Sequence, residues 1–554
     1  MPGAYWDKAK VSEALSDIES IRCRALIYFK EILNEFQGVN QSIEYYDMIA
    51  GSWLEHFVHV VYASALADAD AAERENGTCS VPICINHDSF LNQLTDETFH
   101  ISLGKNIRAL QTRNAAINAW IFCPVKAAAK EPIAKTVRPA KIDRIVHRLK
   151  SDAKKIAQSA HQLSKRNFRI IERRPGSPAV LFVQPYFKAA PNDIDDVKNR
   201  WRHWARFDDL RYSIQVATVI DSRWRKEKAS HALPAASIID IVKVLLPLYI
   251  PIVLLEGLSE YRNTLFKLPV AMVRPKVLYS ANALHNNLSF NLLAAEWCRE
   301  GTRLFYHQHG GGYGIDQINI PEEVEVRVAS RFFTWGWSRD EKKVSPLRPP
   351  MPHAPQRKRN VVLLNCVNYP KSVYRIQYQP MPGTIENMHR QTLDLLAQIK
   401  YLKNLLVRPY FNDYGWGFAN AMRKAAPNAD FDDRSVSSFV RFAQSRLVIH
   451  NYLGTSYLET LALNIPTICF YDDNIYCFRD AAIPYMDALE AVGILHRSGR
   501  SAANMVNDIA RAPESWWQSS EVQSARQAFI ENYANFSMEW KQEWPDFFHK
   551  MLGD

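Results

Sequence analysis

The chain has 554 residues, enough at ~100–200 residues per domain for two or three domains with ample cores. Apolar residues make up 47% and charged residues 23%, a balance that excludes a disordered chain. The net charge of +10 favours anionic partners such as nucleotide phosphates or an anionic membrane surface. No recognised nucleic-acid motif accompanies that charge, so nucleic acid is not an expected partner.

From the N-terminus, the opening eight residues have no apolar signal core. Residues 1–140 read as mixed and mostly helical. The eight cysteines include no CxxC pair. Cys79 and Cys84 have no histidine at zinc spacing, so reduced thiols of a cytoplasmic protein are expected. Residues 141–174 are dense in lysine and arginine, as a solvated helix face or a patch for a membrane or an acceptor would be. The apolar stretch 238–258 is interrupted by Asp240, Lys243, Pro247, Pro251 and Glu256. A bilayer centre penalises such charges, so a buried helix followed by a loop is expected there.

Further on, strand and helix alternate. A strand is predicted at 277–280, a helix at 284–300 ending before Gly301, and a strand at 303–309 running into a glycine cluster; another strand follows at 331–337. Five prolines in 345–359 predict a linker. Beyond it come strands at 361–366, 405–410, 447–451 and 467–471, with helices at 384–402, 435–444 and 456–463. Successive β-α-β units with short connections predict a doubly wound α/β lobe. The tail from Ser515, rich in tryptophan, reads as amphipathic helices crossing back. The expected organisation is a first lobe at 1–344, a linker at 345–360, a second lobe at 361–514 and terminal helices at 515–554.

Several places carry chemistry. The strand at 447–451 leads to Gly454, Thr455 and Ser456 and into a helix. Gly454 admits close approach of a ligand. Thr455 and Ser456 can cap the helix or donate hydroxyls, and its first amides and dipole favour a phosphate. Glu459 completes a capping box with Ser456 or accepts from a ribose. An ordinary capped helix fits the same residues. His307 and His309 lead into Gly310, Gly311, Gly312 and Gly314, and on to Asp316. Consecutive glycines point to unusual dihedrals or close backbone approach. The two histidines alternate across the strand, so one can face a cleft as base or phosphate partner. His309 abuts the glycines and is favoured over His307, with Asp316 as a further candidate. Glu256 follows an apolar run, where burial would raise its pKa for acid/base work; a helix-cap or ion-pair role fits equally. Arg408 ends a strand and can clamp a phosphate or carboxylate, or pair within its lobe. Asp68/Asp70 and Asp430/Asp432 have the Asp-x-Asp spacing of metal sites but read as solvated acids, so no catalytic metal is expected.

The turn at 454–459 is similar to the donor-binding turn of GT-B glycosyltransferases. Through residues 255–258, 308–314, 333–337, 451–460, 465–467, 491–495 and 516–517, the chain resembles transferases of bacterial O-antigen and surface-polysaccharide loci. The likeness spans roughly 249–540. It implies a GT-B fold: two Rossmann-like lobes with a cleft between, a helical N-terminal region and C-terminal crossover helices. It further implies a nucleotide-sugar donor held by Arg408, Tyr410, Asn451, Gly454, Thr455, Ser456 and Glu459, with His309, Glu256, His307 and Asp316 on the acceptor side. No cofactor beyond that substrate is implied. The implied acceptor is a glycan or lipid-linked glycan of lipopolysaccharide or capsule, met in the cytoplasm or peripherally at the inner membrane. Similarity to bacterial Kdo transferases implies a CMP-linked ulosonic acid as donor. A CDP-glycerol-type phosphotransferase and a non-catalytic nucleotide- or glycan-binding assembly protein are the alternatives.

Overall fold

The computed structural model describes residues 8–74 and 178–553, apart from 188, 190, 213, 234, 236, 341, 352–359, 370–384, 401–403, 474–475 and 510. The basic stretch at 141–174, Cys79, Cys84 and the second half of the expected linker lie outside the described residues, as do the side chains of Asp68 and Asp70.

Two six-stranded sheets organise the chain. The first contains β1 (Val180–Val183), β2 (Ala205–Asp208), β3 (Val277–Ser280), β4 (Arg303–His307), β5 (Arg331–Thr334) and β6 (Val344–Pro346), in the order β2-β1-β3-β4-β5-β6. The second contains β7 (Val361–Asn365), β8 (Leu405–Arg408), β9 (Asp430–Phe431), β10 (Ser445–His450), β11 (Thr467–Phe470) and β12 (Leu495–His496), in the order β12-β11-β10-β7-β8-β9. All neighbouring strands run parallel. Strands β1, β3 and β11 are buried along their whole length, as sheets covered on both faces require. In each sheet the first strand lies inside and the chain later reverses direction across it. Switch points therefore fall between β1 and β3, and between β7 and β10, where open α/β sheets bind ligands.

Alternation along the first sheet divides its side chains between two cores. Leu181, Val183, Leu278, Leu304, Tyr306 and Phe332 share one core with the helices Lys8–Gln37, Ile43–Arg74, Ile238–Tyr249 and Leu288–Arg299. Val180, Phe182, Val277, Tyr279, Phe305 and Phe333 face the other way. They are covered by Trp540, Trp544 and Phe548 of the last helix, Trp540–Leu552. In the second sheet Leu364, Val407, Ile449 and Ile468 pack with Leu395, Met422 and Ala502 of the flanking helices.

The structure differs from expectation at several boundaries. The predicted linker begins inside β6, where Pro346 is tolerated because an edge strand pairs on one side only. The helix predicted from 284 begins at Leu288, because Asn287 caps it by accepting from the Phe290 amide at 3.0 Å. The apolar stretch folds as the helix Ile238–Tyr249 and a 3-10 turn, Ile252–Leu254. Among the described residues no helix is long and apolar enough to cross a membrane. Among the described residues, Cys23, Cys298, Cys366, Cys469 and Cys477 form no disulfide, and the last three are buried.

Candidate functional site

The loops that leave β4 and β10 meet. Gly311 N–H donates to Thr455 Oγ1 at 3.0 Å. A Cβ on Gly311 would lie 2.4 Å from the Gly454 carbonyl carbon and 2.8 Å from the Thr455 nitrogen, so only glycine admits this approach. Gly312 has φ +86°, a conformation that L side chains rarely adopt. Beyond the glycines, Asp316 bridges to Phe478. The Gln317 amide donates to Cys477 O at 2.9 Å, and the Arg479 amide to Ile315 O at 2.8 Å. Glu322 fastens the same seam by accepting from Arg479 Nη1 at 2.7 Å and from the Gly314 amide at 2.8 Å.

The helix Thr455–Ala462 starts one residue earlier than predicted. Gly454 is its N-cap and provides no side-chain cap bond. The expected capping box of Ser456 and Glu459 is therefore not formed: the cap position has no side chain, and Glu459 lies one turn further in, buried. A first turn uncapped by a side chain leaves backbone amides for other acceptors. Asn451 is buried at the switch point beside this turn. It accepts from the Val367 amide at 2.9 Å and donates to Thr392 Oγ1 at 3.2 Å, tying the ends of β7 and β10 together. With Gln391, Tyr471, Asp472 and Tyr476 it lines a crevice at the C-terminal ends of β10 and β11.

In the first lobe, His309 is one-fifth exposed and belongs to a polar cluster. The Tyr313 hydroxyl lies 3.1 Å from His309 Nδ1 and donates to Glu325 at 3.0 and 3.2 Å. Glu325 Oε1 is itself 3.5 Å from that Nδ1. His285 Nε2 reaches Glu325 at 2.6 Å, and His285 Nδ1 lies 2.9 Å from Ser52 Oγ on the helix Ile43–Arg74. Tyr186 meets the His309 ring edge-on with centroids 5.7 Å apart. Burial pushes the Glu325 carboxyl up to about 7, although His285 and Tyr313 draw it down. Tyr186, His285 and His309 follow β1, β3 and β4, so the cluster surrounds the first sheet's switch point.

The other predicted residues are placed elsewhere. Glu256 joins Arg225 in a buried ion pair with two contacts of 2.6 Å, and Arg225 also donates to Pro247 O and Ile250 O. Glu256 thus holds a helix end, not the cluster around His309. Arg408 is buried against Asp432 and donates to Val436 O at 3.1 Å, so its guanidinium is not presented to the Gly454 turn. Asp432, expected to be solvated, is buried between Arg408 and Arg441. Burial raises its carboxyl, but bonds from Arg441, the Arg434 amide and Arg408 hold it below the usual range. Asp430 is exposed. Tyr410 stacks in an aromatic group with Phe411 and Tyr414. His307 faces the last helix; burial keeps it neutral, down to about 3, and Tyr279 OH lies 2.5 Å from its Nδ1. Asp316 is buried at the seam, and burial pushes its carboxyl well above the usual range. Among the described residues no group of three or more His, Cys, Asp or Glu is arranged to hold a metal ion.

Sequence reasoning missed His285, Tyr313 and Glu325. One signal was available: Asn319 followed by Ile-Pro-Glu-Glu marks a helix start, and three-residue spacing puts Glu322 and Glu325 on one side of that helix.

Two doubly wound parallel lobes, facing each other through the C-terminal ends of their strands across a glycine-rich seam, define a GT-B-type α/β fold. The chain belongs to the LIC12162 family of transferases, whose family model matches residues 1–548. Among solved structures, Anabaena Alr3699/HepE, determined with UDP and glucose, is similar at 13% identity, covering 67% of this chain and 99% of its own, with a TM-score of 0.38. The spinosyn rhamnosyltransferase SpnG, complexed with spinosyn aglycone, aligns at 11% identity over 64% of this chain and 98% of its own, with a TM-score of 0.32. A point mutant of the Thermobaculum terrenum O-GlcNAc transferase aligns at 10% identity over 97% of this chain and 98% of its own, with a TM-score of 0.34. No curated protein matches the sequence.

Proposed function

We propose that this transferase moves a glycosyl group from a nucleotide sugar to a hydroxyl of a glycan or lipid-linked glycan. The observation that carries the reading is the meeting of the Gly310–Gly312 loop with the helix start at Gly454 and Thr455. A phosphate at that helix start sits on amides that no side chain caps, beside a loop with no side chains to obstruct it. Asn451 and the crevice beside it would take the rest of the nucleotide. His309, next to that loop in the chain, acts as base on the acceptor hydroxyl. Developing charge on the leaving phosphate is met by the helix amides, since Arg408 is committed to Asp432. The net charge of +10 suits work beside an anionic membrane surface and supports a position at the inner face of the membrane.

A CMP-linked ulosonic acid such as Kdo is the donor to test first, on the sequence resemblance alone. Thermal-shift measurements against CMP, UDP, GDP and CDP read which nucleotide the native state binds, because a ligand of the folded state raises the melting temperature. The reading expects one of these to shift the melt and the matching nucleotide sugar to be turned over. A shift with UDP and none with CMP removes the ulosonate. A product that retains phosphate in the new linkage replaces glycosyl transfer with phosphotransfer. Binding without turnover points to a non-catalytic protein.

A further inference from the structure

We propose that Glu325 is a positioning residue for His309, fixing that imidazole as the Nδ1–H tautomer with Nε2 as the basic nitrogen. The inference rests on the reading of His309 as the acceptor base. It follows from counting hydrogens in the cluster. Glu325 is fully buried on the helix Ile320–Val328, and three groups from two other places close on it: His285 after β3, and His309 and Tyr313 of the glycine loop. The buried Tyr306 phenol and Glu322 on the same helix also face it. Tyr313 has one hydroxyl hydrogen, and it is donated to Glu325. The phenol oxygen, 3.1 Å from His309 Nδ1, is then an acceptor, so Nδ1 carries the proton. The carboxylate oxygen 3.5 Å from Nδ1 favours the same assignment. A carboxylate likewise accepts from His285 Nε2–H, and His285 Nδ1 accepts from Ser52. The assignment at His309 is unchanged when Glu325 takes the proton it shares with His285, because Tyr313 still donates to the carboxyl.

The chemical consequence is specific. Neutral imidazole in water favours the Nε2–H form; here Nε2 is left with its lone pair, which a base on a hydroxyl needs. The acceptor proton moves to Nε2 as its oxygen bonds to the sugar carbon, the donor's phosphate oxygen leaves with the electron pair of the broken bond, and Glu325 steadies the imidazolium. Through Ser52, the N-terminal helical layer supports the orientation.

The test uses the full chain labelled with 15N at histidine, with His309→Asn identifying the resonance. The wild type should show His309 with a protonated Nδ1 and an unprotonated Nε2. An Nε2–H tautomer overturns the proposal without any substrate being needed. In E325Q the His309 signal should move toward the other tautomer. Release of nucleotide from the sugar donor selected by thermal shift should fall ~10²-fold, with the donor KM nearly unchanged. A folded E325Q with an unaltered tautomer overturns the proposal. If E325Q does not fold, the wild-type spectrum decides. Absence of turnover with every nucleotide sugar in the wild type counts against glycosyl transfer, while the tautomer result still decides this inference.

Discussion

Gly311 stands where a methyl group has no room, and the atoms in its way are backbone. The neighbouring Gly310 makes the opposite case: its added Cβ would meet only the Thr455 hydroxyl, at 3.2 Å. Gly311→Ala should therefore push the loop and turn apart and lower the melting temperature by the equivalent of ~1–3 kcal/mol. The nucleotide-induced thermal shift should vanish with it. Gly310→Ala should keep most of both; equal behaviour of the two variants in melting and nucleotide titration would contradict the close approach at 311. At this scale the close backbone approach of the glycine run was legible, because three glycines after a strand are hard to explain otherwise. For Glu256 and Arg408 the sequence left a ligand role and an ion pair both open, for one physical reason. Their partners Arg225 and Asp432 lie 31 and 24 residues away, and only tertiary packing decides whether a charge at a strand or helix end faces a ligand or an ion-pair partner. The helix carrying Glu325 has a readable start, but the place of that carboxylate was not readable, since its meaning comes from His285 and Tyr313.

Among the elements, the helix Trp540–Leu552 closes one face of the first sheet. Trp544 is fully buried on the first sheet, and its indole N–H donates to Arg348 O at 2.9 Å. Trp544→Ala removes that donor and opens a void among Phe182, Tyr279 and Phe548. It should cost ~3–5 kcal/mol, read as a fall in denaturant midpoint; a change below ~1 kcal/mol would mean the helix is not a fixed part of the lobe. Central strands such as β3, β7 and β11 were readable as short apolar runs bounded by turns. Strands β9 and β12 were not, since each has two residues and takes its conformation from the strand beside it. Strand β1 is four apolar residues, a run too short for periodicity to separate strand from buried helix.

For the whole molecule, the decisive contact is the seam at Arg479. This arginine follows β11, yet it pairs with Glu322 and Glu323 of the first lobe and donates to Asp316 O at 3.0 Å. Arg479→Ala would leave the buried Glu322 with only the more distant Arg339, 3.9 Å away, at ~3 kcal/mol. The lobes should part, seen as a larger radius of gyration in solution scattering together with lower turnover. An unchanged scattering curve would show that other seam contacts suffice. Sequence could indicate two lobes, but not that residues 315–317 and 477–479 would join them, because bridges between distant loops leave no periodic trace. The returning helix also bears on how the molecule is made. A ribosome delivers all six strands of the first sheet by residue 346, while the tryptophans that seal one of its faces follow almost 200 residues later. The second lobe can finish folding first, and the nascent first lobe must keep an aromatic surface away from other chains until that helix has been made.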